Sequence, residues 1–205
     1  MYKKYKLLFF ALVVLSNNSI FASIEDYYPY SVNPSHSNYG NTGLLEIPNA
    51  RFMTPASIRF SFSNSFPLEF TALTATPFEN FEATYRYVEI KNKKYGPSYY
   101  SGNQSFKDKA FDIKIGLIKE TQKLPSVAIG LRDIGGTGLL SSEYLVFSKK
   151  IGSLDLTTGF GWGLLGSTAD VSNPLSFISE NFKIRERESI AYCKFRKRTN
   201  KPECR

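Results

Sequence analysis

Apolar and polar residues alternate through most of the chain between residues 57 and 166. In residues 81–87, for example, Phe, Ala, Tyr and Tyr alternate with Glu, Thr and Arg. Because successive side chains of a β-strand point to opposite faces, this period of two predicts strands with one apolar and one polar face. The alternation predicts about seven antiparallel strands. They lie at residues 57–66, 69–76, 81–90, 109–118, 126–132, 142–149 and 153–162.

The pattern divides the chain into four parts. Residues 1–22 contain three lysines, an apolar run and a small residue at Ala22, so we predict a secretory signal peptide that is cleaved after Ala22. The apolar run is too short for a helical membrane anchor, which needs ~20 residues. Residues 23–56 are rich in Pro, Gly and Asn, which predicts a turn-rich lead-in. Residues 57–166 hold the strands, and residues 167–205 are expected to form a loop and a basic tail.

The net charge of +8 is concentrated at the two ends of the chain. Three lysines lie in the leader, and residues 183–205 contain nine Lys or Arg against three Glu, so the body is close to neutral. Without a basic face in the body, we expect no nucleic acid partner.

Cys193 and Cys204 both lie in the tail, and His36 is the single histidine. Because a zinc site needs about four ligands, we expect no metal and no cofactor. With no cysteine near the predicted cleavage point, a lipoprotein anchor is not expected there either.

The polar face of the predicted strands mixes charges of both signs with Gly, Ala, Ser and Thr. Such a mixture is typical of the wet lumen of a β-barrel, whose apolar face contacts lipid. Aromatic residues make up 15% of the chain, and several stand at strand ends, as in the aromatic girdles of barrels. The same alternation also fits a soluble β-sandwich with its apolar face buried. The candidate lumen residues are Arg59, Glu82, Arg86, Asp112, Lys114, Arg132 and Asp155.

Two further groups of residues indicate roles in loops. A glycine-rich stretch follows the fifth predicted strand but lacks the Lys and Ser or Thr of a phosphate-binding loop. It therefore predicts a structural hairpin loop. Its residues are Asp133, Gly135, Gly136 and Gly138. Tyrosines in loop-like stretches are candidate glycan contacts, because aromatic rings stack on sugars. They are Tyr27, Tyr28, Tyr30, Tyr39, Tyr95, Tyr99 and Tyr100, of which we single out the last three.

Three carboxylates raise the question of an enzyme. Glu82, Asp112 and Asp155 could serve as an acid/base pair on a saccharide, but no spacing singles out a pair. They are better explained as lumen charges that balance Arg and Lys. A Ser-His-Asp arrangement would need His36, which lies in the turn-rich lead-in and is better explained as a solvated loop residue. We therefore expect no enzymatic activity.

Several long stretches in one order resemble the YjbH-type exopolysaccharide proteins of Gram-negative bacteria. The most specific stretch, residues 127–149, contains AIGLRDIGGTGLLSSEYLVFSK. The others are residues 39–51, 81–87, 105–114, 159–163 and 172–175. The likeness covers about residues 38–185. Family members are much longer, so the chain resembles only their N-terminal part, and we expect a truncation or frameshift near its end.

The resemblance implies an all-β fold, a partial outer-membrane β-barrel, and localisation in the cell outer membrane. The implied function is a non-enzymatic role in exopolysaccharide or capsule production or secretion, in which the lumen charges form a polar path. The implied partners are outer-membrane lipid, exopolysaccharide and other export proteins. An odd number of strands cannot close a usual bacterial barrel, so unpaired edges are expected. The alternative is a soluble periplasmic β-sandwich that serves as a binding or scaffold module in the same pathway.

Overall fold

A computed structural model describes residues 34–166, 171–178 and 182. The predicted signal peptide and the cysteine-containing end of the predicted tail lie outside these residues. The described chain is almost entirely antiparallel β-structure, which confirms the predicted fold class. In this part of the chain, no helix has the length and the hydropathy needed to cross a membrane.

The strands follow one another in chain order. Two short strands, β1 (Gly43–Leu44) and β2 (Ile47–Pro48), form a hairpin in the lead-in. The other seven form one sheet in which each strand pairs antiparallel with the next. They are β3 (Ser57–Ser65), β4 (Leu68–Thr76), β5 (Phe81–Lys94), β6 (Ser105–Ile118), β7 (Ser126–Ile134), β8 (Ser142–Ile151) and β9 (Leu154–Gly163). A single helical turn, α1 (Ser98–Ser101), lies between β5 and β6, and a 3-10 helix spans Pro174–Phe177.

The predicted strands are correct in position, but β5 and β6 are longer than their alternation indicated. Each has 14 residues. The added residues belong to a polar, Lys-rich stretch that the sequence predicted as a loop. Residues 106–108 of β6 form strand because they pair with Ile90, Glu89 and Val88 of β5, and Lys94 pairs with Ser105 beyond an irregularity in the register. Cross-strand hydrogen bonding thus overrides the weak local strand propensity.

The sheet has two ends and two edges. We call the end that carries residues 66–67, 95–104 and 135–141 the upper end, and the end that carries residues 77–80, 119–125 and 152–153 the lower end. Within the described residues, β3 and β9 each pair with one neighbour only, so they are the edges of the sheet. The sheet is therefore open, as expected from its odd number of strands.

The polar face of the sheet is its buried face. The lead-in, which the structure describes at residues 34–56, lies across this face and covers its charged side chains. Arg86 is 0% exposed and Lys114 is 1% exposed. Two small apolar clusters lie between the lead-in and the sheet. The first contains Tyr39, Phe70, Val88, Ile90 and Leu140, and the second contains Ala50, Ala128, Tyr144 and Val146.

The apolar face of the sheet is exposed. One row of apolar side chains crosses five strands in register, from Phe81 through Ile115, Ile129 and Leu145 to Phe160. On the edge strand β3, the outward side chain of Phe60 is 70% exposed. A water-soluble protein buries its apolar face and exposes its charges. This sheet does the reverse.

The lead-in approaches the sheet most closely at Gly40. Its φ of +90° is one that glycine adopts readily, and a Cβ placed there would lie 2.2 Å from the Cβ of Ala72 on β4. The carbonyl oxygen of Gly40 accepts hydrogen bonds from Arg59 Nη2 at 3.1 Å and Thr74 Oγ1 at 2.9 Å. Glycine is therefore required here by both backbone conformation and space.

The variant Gly40→Ala should lower the free energy of unfolding by at least about 2 kcal/mol, because it adds a steric clash to an unfavourable φ. The matched control is Gly138→Ala, where φ is +78° and nothing lies within 4 Å of an added Cβ. The control should lose only about 1 kcal/mol. Urea unfolding in detergent micelles, followed by Trp162 fluorescence, measures both. Equal losses would show that the lead-in is not packed tightly on β4.

Candidate functional site

The candidate site is the contact between the lead-in and the charged face of the sheet. Cationic side chains of the sheet donate hydrogen bonds to backbone carbonyl groups of the lead-in. Lys114 Nζ on β6 donates to the carbonyl oxygens of Thr42 at 3.0 Å and Arg51 at 2.7 Å. Arg132 on β7 directs both terminal nitrogens at the carbonyl oxygen of Glu46, at 3.4 Å each. These bonds replace the water that the buried cations and the loop carbonyls have lost.

A buried ion pair lies beneath the hairpin of the lead-in. Lys114 Nζ is 3.3 Å from Glu82 Oε1, and each side chain is 1% exposed. The same carboxylate accepts a hydrogen bond from the backbone N–H of Thr42 at 2.8 Å and another from its hydroxyl at 2.5 Å. Thr42 therefore contacts the pair from above with a carbonyl, an amide and a hydroxyl. A buried pair is stable only when its remaining donors and acceptors are satisfied in this way.

A second buried ion pair fastens the glycine-rich loop. Arg86 Nη1 is 3.0 Å from Asp112 Oδ2, and Asp112 Oδ1 accepts the backbone N–H of Asp133 at 2.8 Å. Asp133 Oδ2 in turn accepts the backbone N–H of Leu140 at 3.0 Å, which closes the loop between β7 and β8. A Cβ at Gly136 would lie 2.0 Å from Asp133 Oδ1. In this loop, Asp133 acts as a hydrogen-bonding hub and Gly136 makes room for it.

The other two glycines that the sequence singled out lie in the same loop. Gly135 has a φ of +71° and Gly138 has a φ of +78°, and neither would bring a Cβ within 4 Å of another atom. These two positions require glycine for its backbone freedom alone. Of the four predicted loop residues, the structure places the three glycines in the connection between β7 and β8, and Asp133 next to it, near the end of β7.

Tyr39 lies between two arginines of the sheet. The guanidinium carbon of Arg132 is 4.2 Å from its ring centroid, that of Arg86 is 5.1 Å away, and the ring of Phe70 packs at 5.0 Å. The sequence interpretation of Tyr39 as a glycan contact is wrong, because only 5% of the residue is exposed. Burial raises the pKa of its hydroxyl above the usual value, against the opposing effect of Arg132, so the phenol stays neutral.

At the lower end of the sheet, an ion-pair network ties the lead-in to the strands. Arg51 makes a two-pronged contact with Asp155 on β9, with Nη2 at 2.7 Å from Oδ1 and Nε at 3.1 Å from Oδ2. Arg51 also pairs with Glu120, which follows β6. Asp155 lies on the polar face as predicted, but its side chain is 50% exposed because β9 is an edge strand. Sequence reasoning missed Arg51 and Glu120, since loop residues carry no periodic signal.

The three tyrosines singled out as glycan contacts lie together at the upper end. Tyr95, Tyr99 and Tyr100 are 55%, 92% and 79% exposed. Tyr95 precedes α1 in the connection between β5 and β6, and Tyr99 and Tyr100 lie in α1. They are far from the buried ion pairs in the fold. Among the described residues, no group of three His, Cys, Asp or Glu side chains is arranged to hold a metal ion.

Removal of one partner of the Glu82–Lys114 pair should be strongly destabilising. Glu82→Leu leaves a buried ammonium without its carboxylate, so we expect the free energy of unfolding to fall by about 3–5 kcal/mol. The double variant Glu82→Leu/Lys114→Met should lose less free energy of unfolding than the two single variants lose in sum, by at least about 1 kcal/mol.

Urea unfolding of the folded protein in detergent measures this coupling. The control is the exposed pair of Lys119 and Glu79, whose side chains are 62% and 64% exposed. Its single and double substitutions should change stability little. Additive losses at Glu82 and Lys114 would contradict a buried pair.

Comparison with known proteins agrees with the resemblance found in the sequence. Residues 35–197 match the model of the YjbH family, described as "Exopolysaccharide biosynthesis protein YbjH". The chain is also 40% identical over 160 residues to a protein of Escherichia coli (strain K12) named "Uncharacterized lipoprotein YjbH". The match covers 78% of this chain and 23% of that relative, so the chain spans less than a quarter of the relative's length. No solved structure matches the chain. The chain belongs to the YjbH family of exopolysaccharide biosynthesis proteins.

Proposed function

We propose that the chain is part of an outer-membrane β-barrel that takes part in exopolysaccharide production or secretion without catalysing a reaction. The observation that carries this proposal is the inverted arrangement of the sheet, with its charged face buried and its apolar face exposed. The family description supports the link to exopolysaccharide. The name of the relative, a lipoprotein, supports export and membrane association.

The exposed apolar face favours lipid over water as its surroundings. Leaving a large apolar side chain in water instead of burying it costs about 1.5–3 kcal/mol. The sheet exposes such side chains on every strand, including Ile58 at 73%, Phe111 at 57% and Leu154 at 56%. Contact with the acyl chains of lipid, instead of with water, removes this cost. Each strand of the sheet has at least 9 residues, which matches the ~9–11 that cross a bilayer as a tilted strand.

The same observation weighs against the soluble β-sandwich. A sandwich would cover the apolar face with a second sheet and leave the charges in water. The described residues place the lead-in on the charged face instead. Cations of that face donate hydrogen bonds to backbone carbonyl groups of the lead-in, a polar contact that fits a barrel lumen.

The lead-in covers the charged face that would line the barrel lumen. This position changes the role that we propose for the charges. The sequence predicted a polar path along the lumen residues. Arg59, Lys114 and Arg132 instead donate to backbone carbonyls of the lead-in. We infer that in this part of the barrel the charges hold an internal plug. Polymer would pass only where the plug does not lie.

The carboxylates that raised the question of an enzyme are engaged separately. Glu82 holds Lys114, Asp112 holds Arg86, and Asp155 holds Arg51. A glycosidase needs one acid and one base that both face substrate. These three side chains face other parts of the protein, which supports a non-enzymatic role.

The loop lengths favour one orientation in the membrane. Outer-membrane barrels have short periplasmic turns and longer extracellular loops. The connections at the upper end have 2, 10 and 7 residues, and those at the lower end have 4, 7 and 2 residues, so the upper end carries the longer connections in total. We infer that the upper end faces outward.

A charged residue introduced on the apolar face should have different effects in an outer-membrane barrel and in a soluble β-sandwich. If this face meets lipid, Ile129→Lys should reduce folding into phospholipid vesicles by about 2–4 kcal/mol. If the face meets water, the same change should leave folding unaffected and improve solubility. The matched control is Leu124→Lys, at an exposed loop position of the lower end. Gel mobility shift after vesicle folding measures both. A chain that is folded and monodisperse in buffer without detergent would contradict the proposed barrel.

In cells that make exopolysaccharide, deletion of the full-length gene should lower the polysaccharide at the surface while polymer still accumulates inside. This outcome follows if the protein acts after polymerisation. Sugar analysis of surface and intracellular fractions measures it. Loss of polymer from both fractions would place the protein in synthesis instead.

A further inference from the structure

Glu143 is a buried carboxylate on the apolar face of the sheet. It lies on β8, where it pairs with Leu131 on β7 and with Trp162 on β9, and it stands two positions before Leu145 of the apolar row. Because side chains two positions apart in a strand share a face, Glu143 lies on the same face as that row. It is nevertheless only 6% exposed. A segment outside the sheet therefore covers it.

Residues 171–178, which follow β9 and which we call the strap, lie over Glu143. Asn173 in the strap is 7% exposed, and its Nδ2 donates a hydrogen bond to Glu143 Oε2 at 3.0 Å. Trp162 Nε1 donates another to the carbonyl oxygen of Val171 at 2.8 Å. Both members of one cross-strand pair thus fasten the strap to the apolar face, at the upper end of the sheet.

Asn173 also sets the conformation of the strap. Its side-chain oxygen accepts a hydrogen bond from the backbone N–H of Leu175 at 2.9 Å, and its carbonyl oxygen accepts one from the N–H of Ser176 at 3.0 Å. These bonds begin the 3-10 helix Pro174–Phe177. One buried side chain therefore contacts the carboxylate of the sheet and caps the helix of the strap.

The large apolar side chains of the strap are mostly exposed. Val171 is 51% exposed, Ile178 is 64% exposed and Phe177 is 84% exposed. The strap contains no Asp, Glu, Lys or Arg. Leaving three such side chains in water on so short a segment is unfavourable, and contact with lipid would remove that cost. An uncharged apolar segment beside the apolar row therefore suits the surface of a bilayer.

We infer that the strap is an anchor at the membrane interface, where Phe177 and Ile178 insert between the lipid headgroups and the acyl chains. This inference rests on the proposed function, because the strap lies beside the face that would meet lipid. The neighbouring Trp162 has an apolar ring and an N–H donor, a combination typical of that boundary. Asn173 supplies the hydrogen bond that a carboxylate needs when it is withdrawn from water.

The depth of the strap can be measured on the full chain folded into phosphatidylcholine vesicles. Phe177→Cys, in a background of Cys193→Ser and Cys204→Ser, provides a single site for a nitroxide label. Electron paramagnetic resonance then compares collisions with oxygen, which concentrates in lipid, and with a nickel chelate, which stays in water. Phe160→Cys in the apolar row gives the reference for lipid, and Leu45→Cys in the lead-in, where the native residue is 78% exposed, gives the reference for water.

The oxygen-to-chelate ratio at position 177 should lie between the two references, at least about threefold above that at position 45. Asn173→Ala should lower the ratio at position 177 by at least about twofold, because it removes the bond to a buried carboxylate and the cap of the strap. The matched control, Ser172→Ala, truncates an exposed side chain of the same segment and should leave the ratio unchanged.

A ratio at position 177 equal to that at position 45 would overturn the anchor, and an equal loss in Ser172→Ala and Asn173→Ala would overturn the role of Asn173. The label at position 160 keeps the anchor and the barrel apart. Lipid at position 160 with water at position 177 refutes the anchor alone. Water at position 160 with lipid at position 177 refutes the barrel alone, and water at both positions refutes both.

Discussion

The structure depends on the burial of charge between the lead-in and one face of the sheet. Lys114, Glu82 and Thr42 meet there with both side chains of the ion pair 1% exposed. Charges at that depth would be prohibitive alone, because each loses several kcal/mol of hydration. The lead-in compensates for this loss by presenting its backbone rather than apolar side chains. The lead-in has little regular structure beyond its short hairpin, so carbonyl groups such as those of Thr42 and Arg51 are available to accept hydrogen bonds from Lys114.

This arrangement determines which face of the sheet meets the surroundings. Once the charged face is covered from inside, the apolar face has to lie outside, where Phe60 and Phe62 are 70% and 61% exposed. The two apolar clusters under the lead-in are small, so they contribute little of the cohesion that a soluble core supplies. In the barrel that we propose, the remaining stability comes from the strand ladder and from contact of the apolar face with lipid.

The two ends of the sheet have different chemistry. At the lower end, Arg51 is tied to Glu120 and Asp155, so its charge is neutralised within the protein. At the upper end, the side chains of Lys94 and Tyr99 are exposed on the hairpin that β5 and β6 form. The ion-pair network of the lower end and these exposed side chains are thus separated along the strands. Changes in one group are expected to leave the other intact.

The sequence by itself determined the strands, their faces and the family, because an alternation of period two is a local property that survives without tertiary context. It placed Glu82, Arg86, Asp112 and Lys114 on one face, and the structure brings them together there. It could not show that residues 34–56 cover that face, or that Tyr39 is buried between Arg86 and Arg132. Those contacts are made by loop backbone with residues as far away as Arg132, and loop backbone has no periodic signal. Only the tertiary structure decided which charges are paired and which face of the sheet is exposed.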